Sequence, residues 1–114
     1  MATCAQLKRF GLALPGAEFF LLMKQPALRV NKKMFAMWWA PDKRAVMKLE
    51  RGHQTMLFEV RPKIFAPCPV GTGLWSYVEV ANLDRAELKD LVTEAWRQAA
   101  PKTMSRAFSA SRTS

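Results

Sequence analysis

The sequence predicts an α+β domain: one antiparallel sheet with helices on one face, in the order α-β-β-β-α-β-β-α. Three observations predict it. Leu88, Leu91, Val92, Ala95 and Trp96 recur at i, i+3, i+4, i+7 and i+8, the stripe of a helix lying on a core. Leu74 to Val80 alternates between two faces, as a half-buried strand does. Asn31-Lys32 stands between two strand-like runs, and asparagine tolerates the positive φ of a tight hairpin. Helices laid on one side of such a sheet bury both sets of apolar residues.

Taken in order, Thr3-Cys4-Ala5-Gln6 reads as a capping box, and Leu7, Phe10 and Leu14 share one helical face. Pro15-Gly16 ends this first helix, over residues 3–14. Residues 17–26 fit either a buried strand or a packed loop, and Pro26 confines any strand there to an edge. Ala27 to Val30 is a strand with Leu28 and Val30 on one face and Arg29 on the other. Lys33 to Trp39 is apolar on both faces, which suits a central strand. Pro41-Asp42-Lys43 is a turn, and Arg44 to Leu49 is the third strand.

Met56, Leu57 and Val60 place a short helix over residues 52–60. Ile64 to Ala66 is a short strand, and residues 67–73 form a loop by their proline and glycine content. Asp84 and Glu87 form a second capping box, with Leu83 and Leu88 as a hydrophobic staple. Pro101 stops the helix they begin. The domain therefore spans residues 1–104. Residues 105–114, rich in Ser and Arg, read as a mobile basic tail in which Phe108 is the one group able to dock.

Composition narrows the function classes. With 114 residues, half of them hydrophobic, the chain can fill one core. Its longest apolar run, Met34 to Ala40, is far short of the roughly 20 residues of a membrane helix. Lys8-Arg9 is not followed by the apolar stretch of a secretory signal, so a cytoplasmic protein with no membrane partner is expected. Cys4 and Cys68 are far apart, and His53 is the lone histidine, so neither a metal nor a cofactor is expected. The cysteines are expected as thiols, a Cys4–Cys68 disulfide being the alternative. Met34, Met37, Met47 and Met56 fall on positions expected to be buried. The net charge of +9 favours a polyanionic partner.

Four segments carry a resemblance: Phe10 to Glu18, Pro26 to Ala36, Leu74 to Val80, and Glu94 to Lys102. In order and spacing they resemble the MmcQ/YjbR family of small bacterial proteins. The resemblance implies a helix-plus-sheet fold of the kind compared with frataxin-like and secretion-chaperone-like folds. It also implies DNA binding, in preference to RNA, through wing-like hairpins, and it brings no catalytic residues. The family hairpin usually reads Gly-Lys after a polar residue. Here Asn31-Lys32-Lys33 adds positive charge.

The residues themselves suggest two sites. If Leu28, Val30, Met47, Leu49, Val78 and Val80 face the helices, then Arg29, Lys48, Trp75 and Tyr77 share the opposite face, with Glu79 and one of Trp38 or Trp39. Cations neutralise phosphate and flat rings stack on bases, which suits single-stranded nucleic acid. The alternative is a face covered by residues 17–26 or by a second copy. Arg29, Lys32 and Lys33 of the hairpin, with Lys43 and Arg44 of the next turn, form a second basic cluster suited to a duplex backbone. His53 with Glu50 or Glu59 is an acid–base spacing, but a surface histidine explains it far better, and Gly71-Thr72-Gly73 lacks the following helix of a dinucleotide fingerprint. The expectation is a non-enzymatic nucleic-acid-binding protein, monomer or homodimer. Its rival is a protein or small-ligand module using the aromatic sheet face.

Overall fold

The computed structural model describes residues 3–39, 44–68 and 75–112. Helix α1 (Cys4–Leu12) opens the fold, and the Thr3–Gln6 capping box forms in both directions. A Cβ on Gly11 would lie 2.3 Å from Leu28 Cδ1, so glycine lets α1 lie close over the sheet. Four antiparallel strands follow: β1 (Ala17–Leu22), β2 (Gln25–Val30), β3 (Lys33–Trp39) and β4 (Arg44–Lys48). Then come α2 (Arg51–Val60), β5 (Phe65–Pro67) and β6 (Trp75–Glu79), and after a short 3-10 turn α3 (Arg85–Ala99) and α4 (Lys102–Arg112). The strand order is β1-β2-β3-β4-β6-β5, one antiparallel six-stranded sheet.

The predicted class holds, with two additional elements. Residues 17–22 are neither a packed loop nor a buried strand; they extend the sheet as its edge. Pro26 is tolerated because the β2–β3 pairing begins only at Ala27, so its missing N–H interrupts no bond on that side. Both hairpin turns in this region have two residues at positive φ, Met23-Lys24 (50° and 67°) and Asn31-Lys32 (51° and 66°). These are the values of the tight turn that matches strand twist.

The predicted tail is the second difference. Residues 102–112 form α4. Phe108 packs edge-on against Trp96 with ring centres 5.1 Å apart, and Arg97 donates to the Ser105 carbonyl and hydroxyl. Pro101, predicted to stop a helix, both follows α3 and precedes α4.

The main core lies between the sheet and α1, α2 and α3. Leu28, Val30, Met47, Leu49, Val78 and Val80 all belong to it, as the strand alternation requires. A bulge in the β2–β3 pairing lets Phe35 and Ala36 both face the helices, and Trp38 joins them. Trp96 is fully buried, and its Nε1 donates to the Pro15 carbonyl at 2.9 Å. Leu83 and Leu88 are buried as a staple requires. Asp84 accepts from the Glu87 N–H, but the Glu87 carboxylate pairs with Arg61 instead of returning to the cap, so the second capping box forms in one direction only.

Helix α2 is rotated from the predicted face. Met56 and Val60 are exposed, while Gln54 and Leu57 are buried. Gln54 donates to Ser76 Oγ at 2.7 Å. That buried partner is what lets an amide occupy a core position.

Candidate nucleic-acid interface

Strand parity fixes the helix-free face. Pairing sets Phe20 opposite Ala27, Ala27 opposite Met37, Met37 opposite Val46, and Val46 opposite Tyr77. The result is an apolar floor of Ala27, Met37, Val46 and Cys68, with Phe20, Leu22, Met34, Trp75 and Tyr77 packed around it. Among the described residues no helix side chain belongs to this cluster. Sequence reasoning placed Trp75 and Tyr77 here correctly. It missed Phe20 and Leu22, because residues 17–22 show no alternation to read. Those residues do not cover the face; they widen it.

Cations border the floor. The Arg44 guanidinium stands 4.4 Å from the centre of the Tyr77 ring and lies across from Glu79 in the register. Lys48 lies across from Trp75. Arg29 stands over the Phe20 ring at 4.9 Å, with Nε 3.7 Å from Glu18 Oε1, so its charge is partly neutralised. Among the described residues, no carboxylate lies within ion-pair reach of Lys32, Lys33, Arg44 or Lys48. The Tyr77 hydroxyl is held above its usual pKa by a hydrogen bond with the Cys68 thiol; Arg44 acts weakly in the other direction. Cys68 is a buried free thiol.

The second predicted cluster does not form as one unit. Lys33 opens β3, while Arg44 pairs with Trp39, which closes it. Six residues of extended chain separate the two ends by about 20 Å. Arg29, Lys32, Lys33 and Lys48 therefore gather toward the end of the sheet where Trp75 begins β6, and Arg44 with Tyr77 lies toward the other end. Lys43 lies outside the described residues, as does the turn predicted at Pro41-Asp42-Lys43 and the Gly71-Thr72-Gly73 segment.

The histidine finds a different partner from either one read in the sequence. His53 Nδ1 lies 2.6 Å from Glu94 Oε1, and Glu94 Oε2 accepts the Glu50 N–H at 3.0 Å. Glu50 in turn accepts the N–H groups of Gly52 and His53 as the cap of α2, which holds its carboxyl below the usual range. Both oxygens of Glu94 thus tie α3 to the start of α2. Met56, Leu57, Phe65 and Leu91 line an adjoining cleft of about 300 Å³. Arg9, Phe10, Lys89, Thr93 and Phe108 line another of about 460 Å³. Among the described residues, no group of three or more His, Cys, Asp or Glu side chains is placed to hold a metal ion, and no helix is long and apolar enough to cross a membrane.

The comparisons agree with this architecture. The crystal structure of Deinococcus radiodurans protein DR2400, a DUF419 domain, is similar to this chain with a TM-score of 0.74 and 18% sequence identity, covering 83% of this chain and 76% of its own. No curated protein matches the sequence. A family model described as YjbR matches residues 12–98. With most of its length matched, the chain belongs to the YjbR family.

Proposed function

We propose that this protein binds nucleic acid, DNA in preference to RNA, on the helix-free face of its sheet and without a catalytic step. The observation that carries the proposal is the interleaving of cations and rings on that face: Arg44 on Tyr77, and Lys48 beside Trp75. Alternate residues of one strand stand about 7 Å apart on the same face. Trp75 and Tyr77 thus offer two stacking platforms at a spacing that successive bases of an extended single strand reach. Lys48 and the turn residue Lys32 supply phosphate contacts at one end and Arg44 at the other, while Lys33, opposite Val30 in the register, adds positive charge at the rim of the turn. The split between the two ends of β3 favours a strand laid along the face over a duplex held by a single wing.

A gel-shift titration with a labelled single-stranded oligonucleotide and its duplex tests the proposal. The double substitution Lys32→Glu and Lys33→Glu is expected to weaken the complex at least tenfold. An unchanged shift in that variant removes the turn from the interface. The apolar floor of Ala27, Met37, Val46 and Cys68 favours a second reading, in which a protein or a small apolar ligand docks on the same face. Such a complex would weaken little with salt, whereas one built on phosphate contacts weakens steeply.

A further inference from the structure

Strand β1 is an interior strand by composition and an edge strand by position. Apart from Glu18, Ala17-Glu18-Phe19-Phe20-Leu21-Leu22 is apolar on both faces, and it carries neither lysine nor proline. Sheet edges are normally guarded by such residues, or by being short. β5, at the far edge, is guarded: it has three residues and ends on Pro67. On the helix side of β1, Phe19 is 40% and Leu21 62% exposed; Met23 at the turn is 75% and Leu12 at the end of α1 is 40% exposed.

The ladder also determines which backbone groups are free. A two-residue turn makes its flanking residues, Leu22 and Gln25, a hydrogen-bonded pair, and bonding alternates from there along the strand. The N–H and C=O groups of Phe19 and Leu21 therefore point away from β2. Ala17 obeys the same alternation, since its N–H bonds the Leu14 carbonyl at 3.2 Å.

We propose that this edge pairs with β1 of a second copy, antiparallel about a two-fold axis at Leu21, joining the two six-stranded sheets into one. The occupant must bring an extended strand with free groups at alternate positions, and β1 is itself such a strand. The two-fold sets Phe20 against Leu22 of the other copy twice and leaves Phe19 and Glu18 facing its Met23-Lys24 turn, where an exposed apolar side chain and a cation complement them. Leu12, Phe19, Leu21 and Met23 expose on the order of 400 Å² per copy, so a pair covers roughly 800 Å² before the backbone edge is counted. That area fits a reversible dimer that forms as concentration rises, not an obligate one.

Cross-linking tests the register directly. Residues opposite each other in a hydrogen-bonded pair have Cα atoms about 5.5 Å apart, within disulfide reach. In a Cys4→Ser background, Leu21→Cys is expected to form a covalent dimer under mild oxidation. Val60→Cys, equally exposed but on α2 (65%), is the control and is expected to remain monomeric. Sedimentation from about 5 to about 500 µM should show dimerisation that Leu21→Lys abolishes. Equal cross-linking of the two cysteine variants, a monomer throughout that range, or a dimer indifferent to Leu21→Lys would each overturn the proposal. None of these outcomes depends on nucleic acid.

Discussion

The Arg44 guanidinium stands over the Tyr77 ring, 4.4 Å from its centre, on the face of the sheet that packs against no helix among the described residues. β4 and β6 are neighbours in the sheet, yet Arg44 and Tyr77 are 33 residues apart in the chain, so this contact exists only in the folded protein. It joins one cation and one ring into a single element of the proposed interface. Tyr77→Ala and Trp75→Ala are each expected to lower affinity for a single-stranded oligonucleotide about tenfold, since stacking of one base contributes about 1–3 kcal/mol. Fluorescence anisotropy measures this, with circular dichroism confirming the fold. Unchanged affinity in both variants would remove stacking from the mechanism.

The Gln54–Ser76 hydrogen bond ties α2 to β6, the strand beside the sheet's edge. Both side chains are buried, so Ser76→Ala strands the Gln54 amide without its acceptor. The expected loss is about 1–3 kcal/mol in urea unfolding. Gln54→Leu in the Ser76→Ala background should restore much of it, because an apolar pair leaves no unmet donor. A Ser76→Ala variant as stable as the parent would show that the bond contributes nothing.

Helix α4 is held by packing rather than by its own sequence. Phe108→Ala removes the edge-on contact with Trp96 and the ring beneath Arg97. The expected cost is about 1–3 kcal/mol. Amide exchange over 102–112 should accelerate far more than exchange in α3. Equal acceleration in both helices would mean that they unfold as one unit.

Glu50 gives α2 a pH-sensitive cap. Its carboxylate accepts from the N–H groups of Gly52 and His53, and these bonds hold its pKa below the usual glutamate range. A carboxyl whose pKa is lower folded than unfolded contributes stability that is fully present above the unfolded value and lost as pH falls through the folded one. Glu50→Gln should therefore lower the melting temperature at neutral pH and flatten its decline on the acid side. Parallel melting curves for variant and parent from neutral to acidic pH would rule out the cap as a source of that dependence.

Much of this fold was legible locally, and the reasons differ by element. The Asn31-Lys32 turn, the β6 alternation and the α3 stripe each carry their own signal within a few residues. β1 carries none, because the run from Phe19 to Leu22 has no alternation, and Pro26, read as confining a strand to an edge, lies instead in the interior strand β2, paired with Leu21 on one side while the pairing with β3 starts at Ala27. α4 is poor in strong helix formers at its Ser-rich end and owes its place to Trp96 and Arg97. The rotation of α2 was hidden because Gln54 is buried only by virtue of Ser76, 22 residues away. The separation of Lys33 from Arg44 was available from the outset: seven residues of strand lie between the two turns, and counting them places the turns at opposite ends.

The salt dependence of DNA binding tests the central claim most directly. Lys32, Lys33, Arg44 and Lys48 carry no carboxylate partner among the described residues. Neutralising about four phosphates of a single strand gives a slope of log K against log salt near −3, and Lys48→Ala should reduce its magnitude by about 0.7. Titrations between about 0.05 M and about 0.2 M salt measure both values. A steep slope that shallows in the variant is the expected result; a flat slope, or no binding at any salt in that range, would contradict it.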